Sequence, residues 1–504
     1  MLPAATISVA LPASGSIMEA DLHATPERET MNDLLTLSLL DLTQAIHSRK
    51  ASSVELMEAV LARIDETHAD LNAVVAMHDR DELMAAARAS EKRVVDGQAG
   101  PLEGVPLGVK DLEDAAGLVT THGSVPFRDN MANVDSDQVA RLRAAGAIVV
   151  GKTNSPEFGY TAITKNLVFG VTRSPWNLER TPGGSSGGSA AALAGCVLPL
   201  VTGSDGGGSV RIPASFTGAF GLKPSYGRIS NGPRQKWSYG DTVCHGPITK
   251  TVEDAALFLD QVAGPSPHDP NTLPHPGCSY LDKVRQPLEG KLRIGYSADL
   301  GYAAVQGSIA TAVEESAKVF EKLGHTLEEL PGGPPMINRE WGRFGSLETA
   351  AKVQHLLPEH QEEFGRAFIS GVIDAQTFTS KWWADSAEKR EQLNAWCAEV
   401  FDRYDLLITP TVPYDAPPAR GPFPQETSGK QQVPSGVASF TIPFNLSWHP
   451  AATVRVGLSE AGLPIGMQIV GARHRDDLVL QAAKAFENER PWHPNWPVTW
   501  KPLA

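Results

Sequence analysis

The sequence predicts an α/β fold, a single large layered domain in which a mixed, mostly parallel sheet has helices on both faces. Three observations lead to this prediction. Short apolar runs alternate with segments of helical periodicity, which is typical of helices packed on a sheet. The alternation continues on both sides of a divergent segment at about 332–440, so this segment is an insertion within one domain. Hydrophobic residues make up 41% and charged residues 20% of the 504 positions, as in ordinary globular proteins.

The predicted domain covers residues 34–490, between a leader at 1–33 and a tail at 491–504. The leader contains a mildly apolar stretch from Leu2 to Leu11 that no Lys or Arg precedes. A secretory signal has a basic start and a longer apolar block, so we expect a disordered leader. The sequence contains no apolar run of about eighteen residues, and no transmembrane span is predicted.

The first predicted helix begins at a capping box. The Ser52 hydroxyl and the Glu55 carboxylate are spaced to satisfy free backbone amides at a helix start. Leu56, Val60 and Ile64 follow at four-residue spacing, which places one apolar stripe on the core side of the helix.

The later elements follow from the same two patterns, short apolar runs for strands and apolar positions three or four residues apart for helices. Strands are predicted at 105–109, 147–150, 292–296, 452–456 and 467–470. Helices are predicted at 137–145, 190–195, 252–262, 309–323 and 476–486. Within the insertion, the part up to about 396 is helical in pattern and rich in Trp, and 415–434 is loop-like.

Charge and cysteine content argue against several classes of function. The chain has 44 basic and 58 acidic residues, a net charge of −14, which argues against binding to nucleic acid or to an anionic membrane. The cysteines lie far apart, without a CxxC pair or a His at zinc-ligand spacing; they are Cys196, Cys244, Cys278 and Cys397. This pattern argues against a disulfide scaffold or a zinc finger and suits a reducing compartment, so we expect a cytoplasmic protein.

The most informative segment, 180–223, contains two glycine-rich turns at 183–188 and 206–208. A flexible linker does not fit, because both turns are flanked by apolar or helical sequence. A phosphate-binding loop does not fit, because neither turn ends in Gly-Lys-Ser/Thr. A nucleophile elbow at Ser186 matches G-x-S-x-G, but no core strand precedes it. No motif nominates a histidine partner for a triad, and His245 beside Cys244 is better explained as a structural or substrate-side residue.

What remains is a site built from a serine and a cluster of backbone amides. Ser209 follows an apolar run and three glycines, so its hydroxyl can be exposed at a strand end. The amides of 206–208 can stabilise a tetrahedral oxyanion, at about 3–4 kcal/mol per donor. With no histidine nominated, a desolvated lysine can act as the base. Lys110 and Lys152 both follow apolar strands, and the residues alone leave the choice between them open.

Several motifs, in order along the chain, resemble those of the amidase signature family of serine hydrolases. They include Gly104-Val105-Pro106-Leu107-Gly108-Val109-Lys110-Asp111, Pro182-Gly183-Gly184-Ser185-Ser186-Gly187-Gly188-Ser189 and Gly207-Gly208-Ser209-Val210-Arg211-Ile212-Pro213-Ala214. The resemblance covers roughly residues 35–490, with further matches at Gly151-Lys152-Thr153-Asn154 and Ile408-Thr409-Pro410-Thr411. Ser185 and Ser209 lie 24 positions apart, as the two serines of the family's triad do.

This resemblance implies a Ser–cis-Ser–Lys triad. Ser209 is then the nucleophile, Ser185 the bridging serine after a cis peptide bond, and Lys110 the base. It further implies an oxyanion hole and a supporting ion pair beside the nucleophile. The oxyanion hole is expected from the amides of Gly206 and Gly207 with Gly208 close by, and the ion pair from Asp205 and Arg211. Neither a metal nor an organic cofactor is implied.

The implied activity is hydrolysis of a small-molecule carboxylic amide through an acyl-enzyme. An apolar or aryl part of the substrate is expected, as for aryl acylamidases and amide-oligomer hydrolases, because the family's insertion lies over the substrate. The insertion's tryptophans are Trp341, Trp382, Trp383 and Trp396. Core packing explains them equally well.

Two alternative activities remain within the same family. One is a glutaminase subunit of a tRNA-dependent amidotransferase, and the other is a carbamate (urethane) hydrolase. The sequence also departs from the family near its C-terminal end, where Trp448 stands in a place that is often Gly. A bulky side chain there could reshape a substrate pocket. Homo-oligomerisation is left open by the sequence.

Overall fold

A computed structural model describes residues 34–233 and 239–492, so the predicted leader and the predicted tail beyond Trp492 lie outside the described residues. The α-helices are α1 (Leu39–His47), α2 (Ser53–Leu71), α3 (Arg80–Val95), α4 (Asp137–Ala144), α5 (Gly187–Ala194), α6 (Arg211–Thr217), α7 (Val252–Val262), α8 (Tyr280–Val284), α9 (Gly307–Ala317), α10 (Val319–Lys322), α11 (Asn338–Val353), α12 (Leu357–His360), α13 (Arg366–Ala375), α14 (Ser380–Arg403), α15 (Ile442–Leu446) and α16 (Asp476–Glu489). The strands are β1 (Val74–Met77), β2 (Pro106–Lys110), β3 (Ile148–Thr153), β4 (Lys165–Asn166), β5 (Gly170–Val171), β6 (Leu200–Val201), β7 (Ser204–Asp205), β8 (Phe220–Lys223), β9 (Cys244–His245), β10 (Ile248–Thr249), β11 (Arg293–Tyr296), β12 (Thr326–Glu329), β13 (Leu406–Pro410), β14 (Glu426–Thr427), β15 (Lys430–Gln431), β16 (Ala451–Leu458) and β17 (Pro464–Gly471). Within these described ranges, no helix combines the length and the apolar character needed to cross a bilayer.

The predicted fold class is confirmed, since one large domain combines mixed sheets with helices. The larger sheet has the strand order β10-β8-β16-β17-β13-β11-β12. Its pairings are parallel from β13 to β12 but antiparallel from β10 to β13, so the prediction of a mostly parallel sheet is wrong here. For the pair β16 and β17 the reason is the length of the connection, since only residues 459–463 join the two strands. Parallel strands need a crossover of a dozen or more residues, which so short a link cannot provide.

A second, four-stranded sheet carries the two candidate lysines. Its order is β1-β3-β2-β6, and β2 is parallel to both of its neighbours, β3 and β6. Every residue of β2 and β3 is buried. Both lysines singled out in the sequence therefore lie inside the protein, Lys110 as the last residue of β2 and Lys152 near the end of β3.

The helix boundaries follow the local signals in the sequence closely. The capping box at Ser52 is present, with the Glu55 amide donating to Ser52 Oγ (3.1 Å) and the Ser52 amide donating to Glu55 Oε2 (3.0 Å). Helix α7 has the predicted bounds. The predicted helix at 309–323 is divided into α9 and α10 at Lys318.

The insertion packs against the segments that form the candidate site. Helices α11 and α14 share an apolar cluster with α6, in which Ile212 of α6 and Leu393 of α14 are almost fully buried. Helix α13 contacts the loop after β3. Phe368 of the helix stacks on Phe158 of the loop, with ring centroids 4.6 Å apart. These contacts hold the insertion over one end of the domain.

Candidate active site

Lys110 is buried beside three serine hydroxyls. Its side chain is at the end of β2 and only 1% exposed. The Nζ atom donates hydrogen bonds to the Oγ atoms of Ser185 (2.9 Å), Ser186 (2.8 Å) and Ser204 (2.9 Å). Burial lowers the pKa of Lys110 to about 7, although the negative charges of Asp205 and Glu113 act to raise it. A substantial fraction of free amine is therefore present at neutral pH, which is what a general base requires.

Lys152 has different partners. Its Nζ atom donates to the backbone carbonyl of Glu113 and to Thr120 Oγ1, the latter at 3.1 Å. Of the two lysines that the residues alone left open, Lys110 is the one that contacts Ser185. Lys152 instead ties β3 to the loop that follows β2.

The turn at 183–188 supplies two of the three hydroxyls around Lys110. The Gly184–Ser185 peptide bond is cis, as the resemblance implied. Ser186 Oγ contacts Lys110 and also donates to the Ser204 carbonyl (3.2 Å). The sequence suggested Ser186 only as a nucleophile and did not suggest Ser204 at all. A polar residue placed just before the second glycine-rich turn is the one local signal that could have indicated Ser204.

Ser209 lies directly after the second glycine-rich turn and before α6. Its carbonyl accepts a hydrogen bond from the Ser186 amide (3.2 Å), which joins the two turns. Ser185 and Ser209 line the same cavity, together with Ser204, Gly206 and Gly207. The two glycine-rich turns therefore meet at one surface, as the predicted site requires.

The amide of Gly208 has a different role from the one expected. Its N–H donates to Asp205 Oδ1 at 2.7 Å, so it is not available to an oxyanion. Gly206 and Gly207 line the cavity beside Ser209. The inclusion of Gly208 in the predicted oxyanion hole is therefore wrong, because its N–H is already bonded to the buried Asp205 carboxylate.

Asp205 and Arg211 form a buried ion pair behind the turn. Arg211 Nη2 lies 2.9 Å from Asp205 Oδ1, Arg211 Nε lies 3.0 Å from Oδ2, and both side chains are 0% exposed. Burial opposes ionisation of Asp205, but the Arg211 charge and the Asn445 amide lower its pKa well below the usual range. Arg211 also donates to Gln468 Oε1 (2.7 Å) and Asn445 Oδ1 (2.5 Å). A buried ion pair is tolerated when its hydrogen bonds are satisfied in this way. The sequence did not suggest Asn445 or Gln468.

Two cavities meet at Ser209. The first, which we call the Ser185 cavity, has a volume of about 90 Å³ and is bounded by Ser185, Phe158 and Tyr239 among others. The second, which we call the Tyr414 cavity, has a volume of about 440 Å³ and is bounded by Tyr414, Phe423 and Ile212 among others. Ser209, Gly207, Gly159 and Trp341 line both.

One wall of the Ser185 cavity is polar. Glu113 Oε1 accepts hydrogen bonds from Ser136 Oγ (2.6 Å) and Gln138 Nε2 (3.0 Å). His245 Nδ1 lies 3.7 Å from the same carboxylate oxygen and 3.3 Å from Gln138 Nε2. His245 thus lines this cavity together with Glu113, which was not singled out in the sequence.

The tryptophans of the insertion do not all have the same surroundings. Trp341, on α11, lines both cavities and donates from Nε1 to the Gly206 carbonyl (2.7 Å). Trp382 stacks on Phe378 with ring centroids 4.7 Å apart and serves packing. Trp448, outside the insertion, stacks on Tyr226 at 4.8 Å and is not among the described residues that line either cavity.

Comparison with known proteins agrees across sequence and structure. A family model described as Amidase matches residues 55–480. The Acylamidase of Rhodococcus erythropolis is 35% identical over 484 residues, covering 92% of this chain and 97% of that protein. A Glutamyl-tRNA(Gln) amidotransferase subunit of Geotalea daltonii is 32% identical over 493 residues, covering 92% of this chain and 99% of that protein. Among solved structures, a bacterial aryl acylamidase of the amidase signature enzymes has a TM-score of 0.86 at 32% identity, covering 93% of this chain and 99% of that one.

Proposed function

This chain belongs to the amidase signature family and is an amidase, and we propose that it hydrolyses a small carboxylic amide with an apolar or aryl part through an acyl-enzyme on Ser209. The observation that carries this proposal is the contact between Lys110 Nζ and Ser185 Oγ, 2.9 Å apart in a buried position next to Ser209. A buried lysine with a pKa of about 7 can accept a proton through the bridging serine.

In the proposed reaction, Ser209 Oγ forms a bond to the carbonyl carbon and gives its proton to Ser185 Oγ. The Ser185 proton passes at the same time to the free amine of Lys110. The carbonyl oxygen becomes an oxyanion that the N–H groups of Gly206 and Gly207 stabilise. The C–N bond then breaks, and the departing amine takes a proton from Ser185, which Lys110 replaces. Water attacks the ester by the same proton route and releases the acid.

The proton route also indicates which part of the substrate each cavity would hold. The leaving nitrogen must take its proton from Ser185, so the amine part of the substrate belongs in the Ser185 cavity. The acyl part then extends into the Tyr414 cavity, whose aromatic and aliphatic lining includes Tyr414, Phe423 and Ile212. Such a lining favours an apolar or aryl acyl group.

Hydrolysis of a substrate panel tests this proposal. The panel contains chromogenic anilides with short and aryl acyl groups, aliphatic amides, carbamates and glutamine. We expect anilides with apolar acyl groups to have the highest kcat/KM, and Ser209→Ala to abolish their hydrolysis. Ser215→Ala is the matched control, since Ser215 lies on α6 with a buried hydroxyl that has no hydrogen-bond partner in the described part of the chain. Undiminished hydrolysis by the Ser209→Ala variant would falsify the assignment of the nucleophile.

A second candidate function is that of a glutaminase subunit. It is favoured by the likeness to the Glutamyl-tRNA(Gln) amidotransferase subunit over almost the whole of both chains. On this alternative, glutamine has the highest kcat/KM of the panel and the chain forms a stable complex with a second protein. Preference for an anilide over glutamine by a factor of ten or more would exclude it in favour of the first candidate.

A further inference from the structure

Three successive carbonyls of the turn next to Ser209 each accept a hydrogen bond from a side chain. Asn445 Nδ2 donates to the Asp205 carbonyl (2.8 Å), Trp341 Nε1 to the Gly206 carbonyl (2.7 Å), and Thr441 Oγ1 to the Gly207 carbonyl (2.6 Å). The turn is thus held at every peptide unit from Asp205 to Gly208.

Each of these bonds also sets the direction of an amide. In a planar trans peptide the C=O of one residue and the N–H of the next point in opposite directions. A donor on the Gly206 carbonyl therefore fixes the Gly207 N–H, just as the donor on the Gly207 carbonyl accompanies the Gly208 N–H that points at Asp205. The Gly207 N–H is one of the two amides to which the proposed function gives the oxyanion.

Trp341 differs from the other two donors in where it comes from. Asn445 and Thr441 precede β16 and lie in or next to α15. Trp341 lies on α11 of the insertion, and its ring is so close to Gly207 that a side chain at that position would collide with it. It is the member of the set that connects the substrate-facing insertion to the turn.

Helix α11 holds Trp341 firmly in this position. The Asn338 amide group donates to the Pro434 carbonyl (3.0 Å), and Glu340 pairs with Lys389 of α14 at 3.0 Å. Ile337, at the start of the helix, is fully buried. A ring anchored in this way can hold the Gly206–Gly207 peptide through the whole reaction, at no cost of reorganisation in the transition state.

From these contacts we propose that Trp341 is a positioning residue for the oxyanion hole, which orients the Gly207 N–H through its hydrogen bond to the Gly206 carbonyl. The inference rests on the proposed function of Ser209 and the two glycine amides. It makes the insertion part of the catalytic apparatus and not only a wall of the substrate cavities.

Trp341→Phe tests this inference, because it keeps an aromatic ring and removes the N–H donor together with the five-membered ring of the indole. We expect kcat on the best anilide to fall about 10–100-fold, below the effect of deleting an oxyanion donor outright, while KM changes by less than about threefold. Trp382→Phe, in the same insertion and outside both cavities, is the matched control and should leave both constants unchanged. Thermal unfolding of each variant verifies that it is folded, and Trp341→Leu, which also lacks a donor, replaces Trp341→Phe if that variant does not fold.

A second readout does not depend on finding the substrate. A fluorophosphonate forms an O–P bond with a nucleophilic serine, loses fluoride, and places its phosphoryl oxygen where the oxyanion would be. We expect the rate of Ser209 labelling to fall in Trp341→Phe in parallel with kcat. Equal labelling rates in the wild type and Trp341→Phe, or a change in KM alone, would overturn the role of Trp341 while leaving the proposed function intact. If the wild type is neither labelled at Ser209 nor active on any amide, the proposed function has failed and this inference falls with it.

Discussion

The ends of strands β2 and β3 offer a comparison within one sheet. Each carries a buried lysine: Lys110 is 1% exposed and Lys152 is 0% exposed, and the strands that hold them are parallel neighbours. Lys110 contacts three serine hydroxyls, whereas Lys152 contacts a carbonyl and a threonine hydroxyl and lies near the buried carboxylate of Asp111. Burial alone does not make a lysine a base. The two lysines differ in which hydroxyl they contact: Lys110 contacts Ser185, which lines the same cavity as Ser209 and can both give and take a proton, whereas Thr120 beside Lys152 does not line that cavity.

Replacement of the two lysines by methionine should separate these roles most clearly. We expect Lys110→Met to lower kcat by about 10⁴-fold or more, the scale on which loss of a triad member acts. The measurement is steady-state hydrolysis of the best anilide, with circular dichroism to verify the fold. A loss of less than tenfold would mean that another group accepts the Ser185 proton.

Lys152→Met should act on stability instead. Removing this ammonium leaves the Glu113 carbonyl and the Asp111 carboxylate without a buried cation, which costs about 3–5 kcal/mol of unfolding free energy. Denaturant unfolding measures this loss, and kcat of the folded fraction should stay within about tenfold of the wild type. If Lys152→Met were as inactive as Lys110→Met while remaining stable, the division between the two lysines would be wrong.

The pH dependence of activity examines Lys110 without a mutation. Burial lowers the pKa of Lys110 to about 7 from an ordinary value of 10.5. Below this pKa the amine carries a proton and cannot accept another, so kcat/KM should fall about tenfold for each pH unit below 7 and stay level above it. A profile from pH 5 to 9 locates the range in which kcat/KM falls with decreasing pH, which we call the acid limb. Continued increase of kcat/KM up to pH 9 would show that the lysine keeps its ordinary pKa.

Much of this comparison could be predicted from the sequence, and the limits have a physical cause. The apolar run of β2 predicted that Lys110 is carried inward, and the family motifs predicted its meeting with Ser185. The local capping box predicted the start of α2 at Ser52, because that signal involves residues three positions apart. Structure that depends on residues close together in the chain can therefore be predicted from local sequence patterns.

Contacts between distant segments were beyond those patterns. Ser204 meets Lys110 across 94 positions, and Trp341 meets Gly206 across 135, so no spacing rule could indicate either. The error at Gly208 has a different origin, since Gly208 and Asp205 are only three positions apart. Its amide direction follows from a left-handed backbone, with φ near 129°, and from the nearby Asp205 carboxylate. Three successive glycines in a sequence do not reveal which of their amides is already occupied.

Glu113 provides the finest probe of the two lysines, because it touches both environments. Its backbone carbonyl accepts from Lys152, and the negative charge of its side chain acts to raise the pKa of Lys110. Glu113→Gln removes that charge and keeps the backbone contact. The ammonium form of Lys110 then loses an attractive interaction, its pKa falls, and the acid limb of kcat/KM should move to lower pH. Relative activity at pH 6 should therefore increase several-fold, about the size that a single nearby charge produces.

The matched control for this change is Glu66→Gln, which removes one negative charge from a side chain that is 52% exposed and should leave the limb in place. A limb that stays in place in Glu113→Gln as well would mean that solvent screens the Glu113 charge from Lys110. A limb that moves to higher pH would mean that the carboxylate lowers the pKa of the lysine and does not raise it. Either result would contradict the inference that the Glu113 charge raises the pKa of Lys110. A shift to lower pH in Glu113→Gln alone would show that the wall of the Ser185 cavity tunes the base that acts within it.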